Sequence, residues 1–345
     1  MKQIRSEPLQ HALLRWYGRN RRALPWRKKR DPYAIWISET MLQQTQVKTV
    51  LPYYGRFLRA FPTVRTLDAA RREKVLALWS GLGYYRRAVN LKKAARKIVR
   101  DHGGKFPRDF RALGALPGVG PYTAGALMSI AFAEPYPALD ANARRVLRRL
   151  SAVSREKPLR EAAARLVPAA RPGDFNQALM DLGATVCLPG EPRCALCPIA
   201  SFCRARKSGA FRAARGPAPK RARRVEWPLA VIEKNGKILL RRRPDGGLLA
   251  GLWEIPGGEK MKNESPRAAL LRELGELGGP IGLKSTMDVI RHSITNRSIR
   301  APVYLCALAK APRPGPGWRW FPLASLDRHP LSSLSLKAAR LVAKS

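Results

Sequence analysis

The feature that most restricts how this chain can fold is a set of closely spaced cysteines with the pattern C-x6-C-x2-C-x5-C, at Cys187, Cys194, Cys197 and Cys203. Thiolates at fixed short spacing bind a metal ion or a cluster, so the surrounding chain must fold until all four converge. Zinc sites usually contain two short C-x2-C pairs, whereas this set has one short gap and two longer ones. A [4Fe–4S] cluster tolerates such spacing, and we expect one here. The alternative is a group of unrelated buried cysteines.

The charge of the chain indicates a polyanionic partner. Among 345 residues, 66 are Lys or Arg and 24 are Asp or Glu, which gives a formal net charge of +42. An excess of this size indicates nucleic acid as the partner. Five cysteines, one of them the isolated Cys306, do not form a secreted disulfide framework, and the N-terminus shows no apolar signal core. We therefore expect a cytoplasmic, nucleoid-associated monomer with no membrane segment.

The pattern of apolar residues divides the chain into two kinds of region. Residues 1–205 are predicted to be helical, with apolar positions recurring every three or four residues through Ile35–Tyr54 and Val75–Ile98. Residues 206–225 are rich in Arg, Lys, Ala, Pro and Gly, which is typical of a linker. Residues 226–345 alternate like strands, with one helix among them, and predict a smaller α+β domain.

One segment of the helical region indicates a phosphate contact. The stretch LPGVGPYTAGA, Leu116–Ala126, is predicted to be a tight turn between two helices. Gly118 and Gly120 permit the turn and a close backbone approach, so that amide groups can point at a phosphate. A Gly-x-Gly turn alone is weak evidence, because many helices are joined in this way.

Two acidic residues are candidates for chemistry. Glu39 lies in a predicted helix among Trp36, Ile37, Met41 and Leu42, and a carboxyl group with apolar neighbours acquires the raised pKa that a general acid needs. The alternative is an ordinary helix glutamate that faces water. Asp140 opens DANARRVLRRL and is either a helix N-cap or an anion close to a developing sugar cation. Asn142 either supports the helix start or hydrogen-bonds DNA or substrate.

Taken together and in this order, these elements resemble the MutY-type adenine DNA glycosylases, which share the helix-hairpin-helix, Gly/Pro-Asp superfamily with endonuclease III. The resemblance covers nearly the whole chain and rests on the hairpin, the cysteines and four further segments, which are LPWR (24–27), DPYAIWISETMLQQTQV (31–47), GLGYYRR (81–87) and LDAN (139–142). It implies a six-helix barrel at about 28–137, a cluster domain built from 1–27 and 138–205, and a Nudix-like domain at 226–345.

The resemblance also implies roles for individual residues. Glu39 corresponds to the acid that protonates the adenine ring nitrogen, Asp140 to the carboxylate that stabilises or traps the sugar cation, and Tyr122 and Asn142 to residues that support them. The implied partner is double-stranded DNA with adenine opposite 8-oxoguanine or guanine. Because Tyr122 stands where endonuclease III has a Schiff-base lysine, the resemblance implies a glycosylase without strand-cutting activity. The implied DNA contacts are Arg27, Gln43, Gln44, Tyr84, Leu116, Gly118, Gly120 and Thr123.

The second domain departs from the family pattern at two places. The family reads 8-oxoguanine with a Phe-Ser-His loop, whereas the matching residues here are Ile294, Thr295 and Asn296. The preference between 8-oxoguanine and guanine is therefore open. Leu277 stands where a Nudix hydrolase has a second adjacent glutamate for Mg²⁺. A Nudix-type nucleotide hydrolase, a thymine or other mismatch glycosylase, and a non-catalytic DNA-binding cluster protein are the alternative functions.

Overall fold

The computed structural model describes residues 6–209, 222–244, 246–247, 249–277, 281–294, 296–308 and 317–342. These residues form two compact units. The first contains described residues 6–69 and 90–209, and the second contains 70–89 and 222–342. The sequence did not indicate that the segment 70–89 groups with the C-terminal region. The finer division of the helical region into a barrel and a cluster domain stays a prediction.

Helices make up the first unit, and local sequence sets where they begin. The Asp31 carboxylate accepts hydrogen bonds from the amides of Tyr33 and Ala34, and Pro32 occupies the first helical position, where no amide is needed. The helices of residues 6–209 are α1 (Ser6–Asn20), α2 (Pro32–Leu42), α3 (Val47–Ala60), α4 (Val64–Ala69), α5 (Arg72–Trp79), α6 (Arg86–His102), α7 (Phe110–Gly114), α8 (Pro121–Ala126), α9 (Ala141–Ser151), α10 (Glu156–Leu166), α11 (Pro172–Thr185) and α12 (Arg204–Ser208). Of these, α5 lies in the second unit.

Both long helical stretches predicted from periodicity are interrupted in the structure. The first breaks between α2 and α3, where Gln44 has a φ of 57°, and the second breaks between α5 and α6, where Tyr84 has a φ of 47°. Such left-handed backbone is uncommon for residues other than glycine and costs on the order of 1 kcal/mol or more. Periodicity could not reveal these breaks, because the apolar spacing continues through them.

The core of the first unit places the cysteine region beside the helices. Side chains of α1, α9, α10 and α11 pack into one apolar cluster that includes Leu13, Leu147 and Phe175, each of which is 1% exposed or less. Cys187, Cys197 and Cys203 lie partly buried against this cluster. The cysteine segment is thus fixed on a rigid helical base.

The second unit contains a mixed sheet of seven strands within its described residues, ordered β1-β6-β2-β3-β4, with β5 beside β6 and β7 beside β3. Strands β1 and β2 run parallel to β6, and the remaining pairs are antiparallel. The strands are β1 (Arg223–Glu226), β2 (Leu229–Lys234), β3 (Lys237–Arg242), β4 (Trp253–Glu254), β5 (Ile281–Ile294), β6 (Arg297–Leu308) and β7 (Trp318–Pro322), and the helices are α13 (Pro266–Leu274) and α14 (Ser333–Val342).

Local sequence sets the turns of this sheet. Asn235 and Gly236 join β2 to β3 with φ values of 51° and 70°, as a two-residue hairpin turn requires, so the predicted Asn-Gly hairpin is confirmed. The predicted fold class, a helical region followed by an α+β domain, is also confirmed. Among the described residues, no helix combines the length and the apolar character needed to cross a membrane.

Candidate active site and cysteine cavity

Glu39 is buried in α2 with only 5% of its surface exposed. The Tyr122 hydroxyl, on α8, donates a hydrogen bond to Oε2 of Glu39. Burial raises the pKa of Glu39 to about 7, with the charge of Asp140 adding to the rise, while Tyr122 and Arg27 oppose it. The alternative of a solvated helix glutamate is therefore wrong. Near neutral pH a large share of this carboxyl group carries a proton that it can donate.

Asp140 takes the first of the two roles that the sequence left open, and its role beside a sugar cation stays a prediction. It is the N-cap of α9, since its Oδ1 accepts a hydrogen bond from the Ala143 amide at 2.6 Å. Its Oδ2 accepts another from Nδ2 of Asn142 at 3.2 Å. Burial raises the pKa of Asp140, and the Ala143 and Asn142 hydrogen bonds oppose the rise. The cap thus also holds a carboxylate that acts electrostatically on Glu39, 101 residues earlier in the chain.

Residues of α11 that the sequence did not single out hold the chain leading to Asp140. The side chain of Asn176 is completely buried and donates to Oγ of Ser129 and to the Tyr136 carbonyl, both at 2.8 Å. Its Oδ1 accepts from the Ala138 amide at 3.1 Å. A Cβ on Gly183 would lie only 2.7 Å from Cβ of Asn142, so the glycine permits close packing there. No periodicity signal could have identified these contacts, because they join distant segments.

The hairpin between α7 and α8 forms as predicted, but its two glycines differ. Gly118 has a φ of 79°, and a Cβ there would lie 2.8 Å from Cβ of Asn90. Gly120 has an ordinary φ of −91°, with open space around it, and is the N-cap of α8. The expectation that both glycines permit the tight turn is therefore correct for Gly118 alone.

We predict that Gly118→Ala lowers the free energy of unfolding by about 1 to 3 kcal/mol, because the substitution forces left-handed backbone and a clash with Asn90. Gly120→Ala is the matched control and should change stability by less than about 1 kcal/mol. Chemical denaturation of the two variants checks the prediction. Equal losses at both positions would contradict it.

The structure places the candidate DNA contacts in three environments. The side chains of Leu116 and Thr123 are 2% and 1% exposed, so only their backbone can face a DNA strand. Nε2 of Gln43 donates to Oγ1 of Thr123 at 3.2 Å. Gln44 and Tyr84 are exposed at the two strained breaks described above, and Tyr84 stacks against Arg87 at 5.4 Å. Contact with DNA by these residues stays a prediction.

Arg27 lies deeper than a DNA contact would. Its side chain is 12% exposed and forms an ion pair of 2.6 Å with Asp181, which is 1% exposed. The guanidinium also lies 5.6 Å from the centre of the Tyr17 ring. The positive charge of Arg27 acts on Glu39, which places the arginine beside the candidate active site.

The four cysteines of the spaced set line one cavity. All four are free thiols, and burial raises the pKa of Cys197 to about 11. The cavity is also lined by Arg149, Arg193 and Arg206. In the part of the chain that the structure describes, no set of three or more Cys, His, Asp or Glu side chains is arranged to hold a single metal ion.

Two arginines of α9 tie this cavity to its surroundings, and the sequence reasoning did not identify them. Arg149, which is 3% exposed, donates from Nη1 to Sγ of Cys187 at 3.3 Å. Arg145 donates from Nε to the Cys187 carbonyl at 2.8 Å and from Nη2 to Oδ1 of Asn142 at 2.8 Å. The cysteine segment and the support of Asp140 therefore share one hydrogen-bonded side chain.

Two of the three candidate recognition residues, Ile294 and Asn296, are described by the structure. Ile294 ends β5, and the Asn296 carbonyl accepts a hydrogen bond from the Arg223 amide at 2.8 Å. Thr295 lies outside the described residues. His292 is on β5 itself, where burial lowers its pKa. Cys306 is a buried strand cysteine, as expected, with its pKa raised to about 12 by burial.

Three glutamates of the second unit, Glu254, Glu264 and Glu273, are paired with arginines. Arg243, Glu254, Arg241, Glu273, Arg272 and Glu264 form an alternating chain of ion pairs, with N···O distances of 2.8 Å for Arg243–Glu254, 3.2 Å for Arg241–Glu254, and 2.9 Å for both Arg241–Glu273 and Arg272–Glu264. The chain contains three positive and three negative groups. Its carboxylates are therefore already paired with internal cations.

The helical fold with its hairpin, together with the buried Glu39, is that of a helix-hairpin-helix DNA glycosylase. A family model described as "HhH-GPD superfamily base excision DNA repair protein" matches residues 37–169, and one for the NUDIX domain matches residues 229–340. The chain is 38% identical to the adenine DNA glycosylase of Mus musculus and 36% identical to that of Homo sapiens. These alignments cover 95% and 96% of this chain and 76% and 73% of the two relatives. The chain belongs to the adenine DNA glycosylase family.

A solved structure supports the assignment of the helical region. The structure of a thermostable thymine-DNA glycosylase is similar with a TM-score of 0.56 and 33% identity. The similarity covers 59% of this chain and 97% of that chain. The matched part is about as long as the helical region, and the rest of the chain is not matched by this structure.

Proposed function

We propose that this protein hydrolyses the N-glycosidic bond of adenine mispaired with 8-oxoguanine or guanine in double-stranded DNA, in base excision repair. The observation that carries the proposal is the pairing of Glu39, which holds a proton near neutral pH, with the Asp140 carboxylate. Two carboxyl groups in different protonation states are what cleavage of a glycosidic bond uses. The high positive charge of the chain supports binding to a DNA backbone.

Each carboxyl group has its own part in the reaction. The adenine first leaves the base stack, at a cost of roughly a few kcal/mol. Glu39 then donates its proton to an adenine ring nitrogen, and the bonding electrons move to the departing base as the glycosidic bond breaks. The Asp140 carboxylate stabilises the positive charge that develops on the sugar. A water molecule then adds to the sugar and releases a proton, which restores the protonated form of Glu39. The products are free adenine and an abasic site.

Single-turnover cleavage tests this proposal on duplexes that carry adenine opposite 8-oxoguanine, guanine, cytosine or thymine, with a thymine–guanine duplex for the alternative thymine activity. We expect excision of adenine from the first two duplexes. Excision of thymine but not adenine would establish the alternative. The turn at Ile294–Asn296 lacks both the aromatic residue and the histidine of the family loop, so we expect a smaller preference for 8-oxoguanine than a Phe-Ser-His loop gives.

We propose that the cysteine cavity holds a [4Fe–4S] cluster. The donor set fits, because four thiols line one cavity and the buried guanidinium of Arg149 donates to one of their sulfurs, which offsets the negative charge of the thiolates. When bound, the cluster supplies a rigid structural centre, since hydrolysis of an N-glycosidic bond needs no electron transfer. Arg193 and Arg206, which line the same cavity, add positive charge that supports a role in binding DNA phosphates. We also propose that the protein acts as a monomer on nucleoid DNA in the cytoplasm.

We predict that the protein cuts no DNA strand itself. Formation of a Schiff base needs an amine, whereas the hydroxyl of Tyr122 donates to Glu39. Borohydride should therefore trap far less enzyme–DNA adduct than the amount of adenine released. An adduct as abundant as the excised base would contradict the prediction.

We predict that this protein does not hydrolyse nucleoside triphosphates. Mg²⁺ binds free carboxylates, and here Arg241 and Arg272 already neutralise Glu273, while Leu277 provides no ligand. With Mg²⁺ and an oxidised nucleoside triphosphate, phosphate release should equal that of the buffer alone. Release above that level would support the hydrolase alternative.

A further inference from the structure

Asp181 is a buried acid for which the proposed mechanism has no use. It lies on α11 with 1% of its surface exposed and accepts hydrogen bonds from two arginines. Nη1 and Nη2 of Arg27 donate to its two oxygens at 2.6 and 3.0 Å, and Nε of Arg22 donates to Oδ1 at 2.6 Å. Paired hydrogen bonds from a planar guanidinium fix its orientation as well as its position.

The contacts of Arg27 keep it inside the protein rather than at the surface. Its Nη1 donates to the Arg22 carbonyl at 3.2 Å, and its guanidinium lies against the Tyr17 ring. Burial by itself lowers the pKa of Arg27, but the hydrogen bonds and charge of Asp181 reverse this, so the net direction is upward. Asp181 is therefore the group that makes a buried cation favourable at this position.

We propose that Asp181 is a positioning residue, which holds the Arg27 guanidinium beside Glu39 and so sets the charge that the acid experiences. The inference rests on the proposed function and deepens it, because it assigns the tuning of the proton donor to a residue that does not touch it. Arg22, whose side chain is 32% exposed, is the second arginine that pairs with Asp181.

The direction in which the pKa of Glu39 changes after loss of Asp181 shows whether Asp181 holds Arg27 in place or Arg27 keeps its position without it. The groups that act on Glu39 are Tyr122 and Arg27, which lower its pKa, and Asp140, which raises it, in addition to burial. If Asp181 holds Arg27 in place, loss of Asp181 releases the cation and the pKa of Glu39 rises above about 7. If Arg27 stays without its partner, the site becomes more positive and the pKa of Glu39 falls.

The test measures single-turnover adenine excision against pH for Asp181→Asn, Arg27→Met and the double variant, with Arg22→Gln as the matched control. The control removes the other cation bound to Asp181 and should leave the profile unchanged. In Asp181→Asn and in Arg27→Met, the decline at high pH should move upward by about half a pH unit or more. The double variant should match Arg27→Met, since Asp181 acts through Arg27. The proposal would be overturned if this decline stayed at the same pH or moved to lower pH in Asp181→Asn. It would also be overturned if the shifts of the two single variants added in the double variant.

Two further measurements keep the test decisive. Removing only Asp181 leaves buried arginine unpaired and can prevent folding, whereas the double variant removes the charges of both Asp181 and Arg27. The proposal requires that the profile of the double variant equal that of Arg27→Met, and a different profile overturns it, whereas the upward shift in Asp181→Asn carries the positive evidence. If the parent protein does not excise adenine, the proposed function fails by itself. The pKa of Glu39, measured by NMR on carbon-labelled glutamate in the same variants, then tests the inference by the same criteria.

Discussion

Glu39→Gln is expected to lower the single-turnover rate of adenine excision by about 10³-fold, which lies within the range for loss of a general acid. Glutamine has nearly the same shape as glutamate, and its amide oxygen can still accept the hydrogen bond from Tyr122, but it has no proton of the required acidity to donate. The loss should therefore appear in the rate of the chemical step, and binding of the mispaired duplex should change little.

Glu134→Gln is the matched control, because Glu134 is an exposed acid of the same unit. It should excise adenine at the parent rate. Thermal unfolding of both variants shows whether the fold is intact. Excision by Glu39→Gln within about tenfold of the parent would mean that another group supplies the proton.

The same assignment predicts the pH dependence of the parent. Glu39 works in its protonated form, so the rate should decline as the pH rises through about 7, where this carboxyl group loses its proton. Asp140 works as a carboxylate, and its raised pKa should produce a second decline at acidic pH. A rate that stays constant on both sides of 7 would contradict the assignment.

Asp140→Asn is expected to lower the rate of excision by about 10²- to 10³-fold with little loss of stability. Asparagine caps a helix about as well as aspartate, so the Ala143 amide keeps its acceptor and α9 keeps its start. The negative charge is lost, together with the hydrogen bond that Oδ2 accepts from Asn142. The substitution thus separates the two roles of Asp140. Stabilisation of the sugar cation predicts a lower rate, whereas a role as helix cap alone predicts no change in the rate.

Asp109→Asn is the matched control for this substitution. Asp109 caps α7 in the same way, with its Oδ1 accepting from the Ala112 amide at 2.7 Å, and it has no place in the proposed chemistry. Single-turnover rates and unfolding curves of the two variants should differ only in the rate of Asp140→Asn. If Asp140→Asn and Asp109→Asn both excised adenine at about the parent rate, Asp140 would serve only as the N-cap of α9.

Much of the fold could be predicted because its signals are local. The hairpin turn at Asn235–Gly236 and the cap at Asp140 depend on a few adjacent residues, and both form as predicted. The breaks at Gln44 and Tyr84 were missed for the opposite reason. Apolar spacing continues through both, and strained backbone persists only where tertiary contacts hold it.

The candidate site shows the same division. Sequence reasoning singled out Glu39 and Asp140, to which we assign the chemistry as a proposal, but not the residues that hold them. Asn176 and Arg145 act through hydrogen bonds to segments about 40 residues away in the chain, and Asp181 acts on an arginine 154 residues earlier. Buried polar side chains on a helix have no periodic signature that distinguishes a support from an ordinary core residue.

By itself, the sequence determined that this chain is a basic, largely helical DNA glycosylase with four closely spaced cysteines and an α+β domain, because residue type, spacing and charge are properties of the chain. Only the tertiary structure decided that the pKa of Glu39 is raised to about 7. That property depends on removal from water and on Tyr122, Asp140 and Arg27, which reach Glu39 from three other parts of the chain. A pKa is set by the dielectric and the charges around a group, and folding creates both.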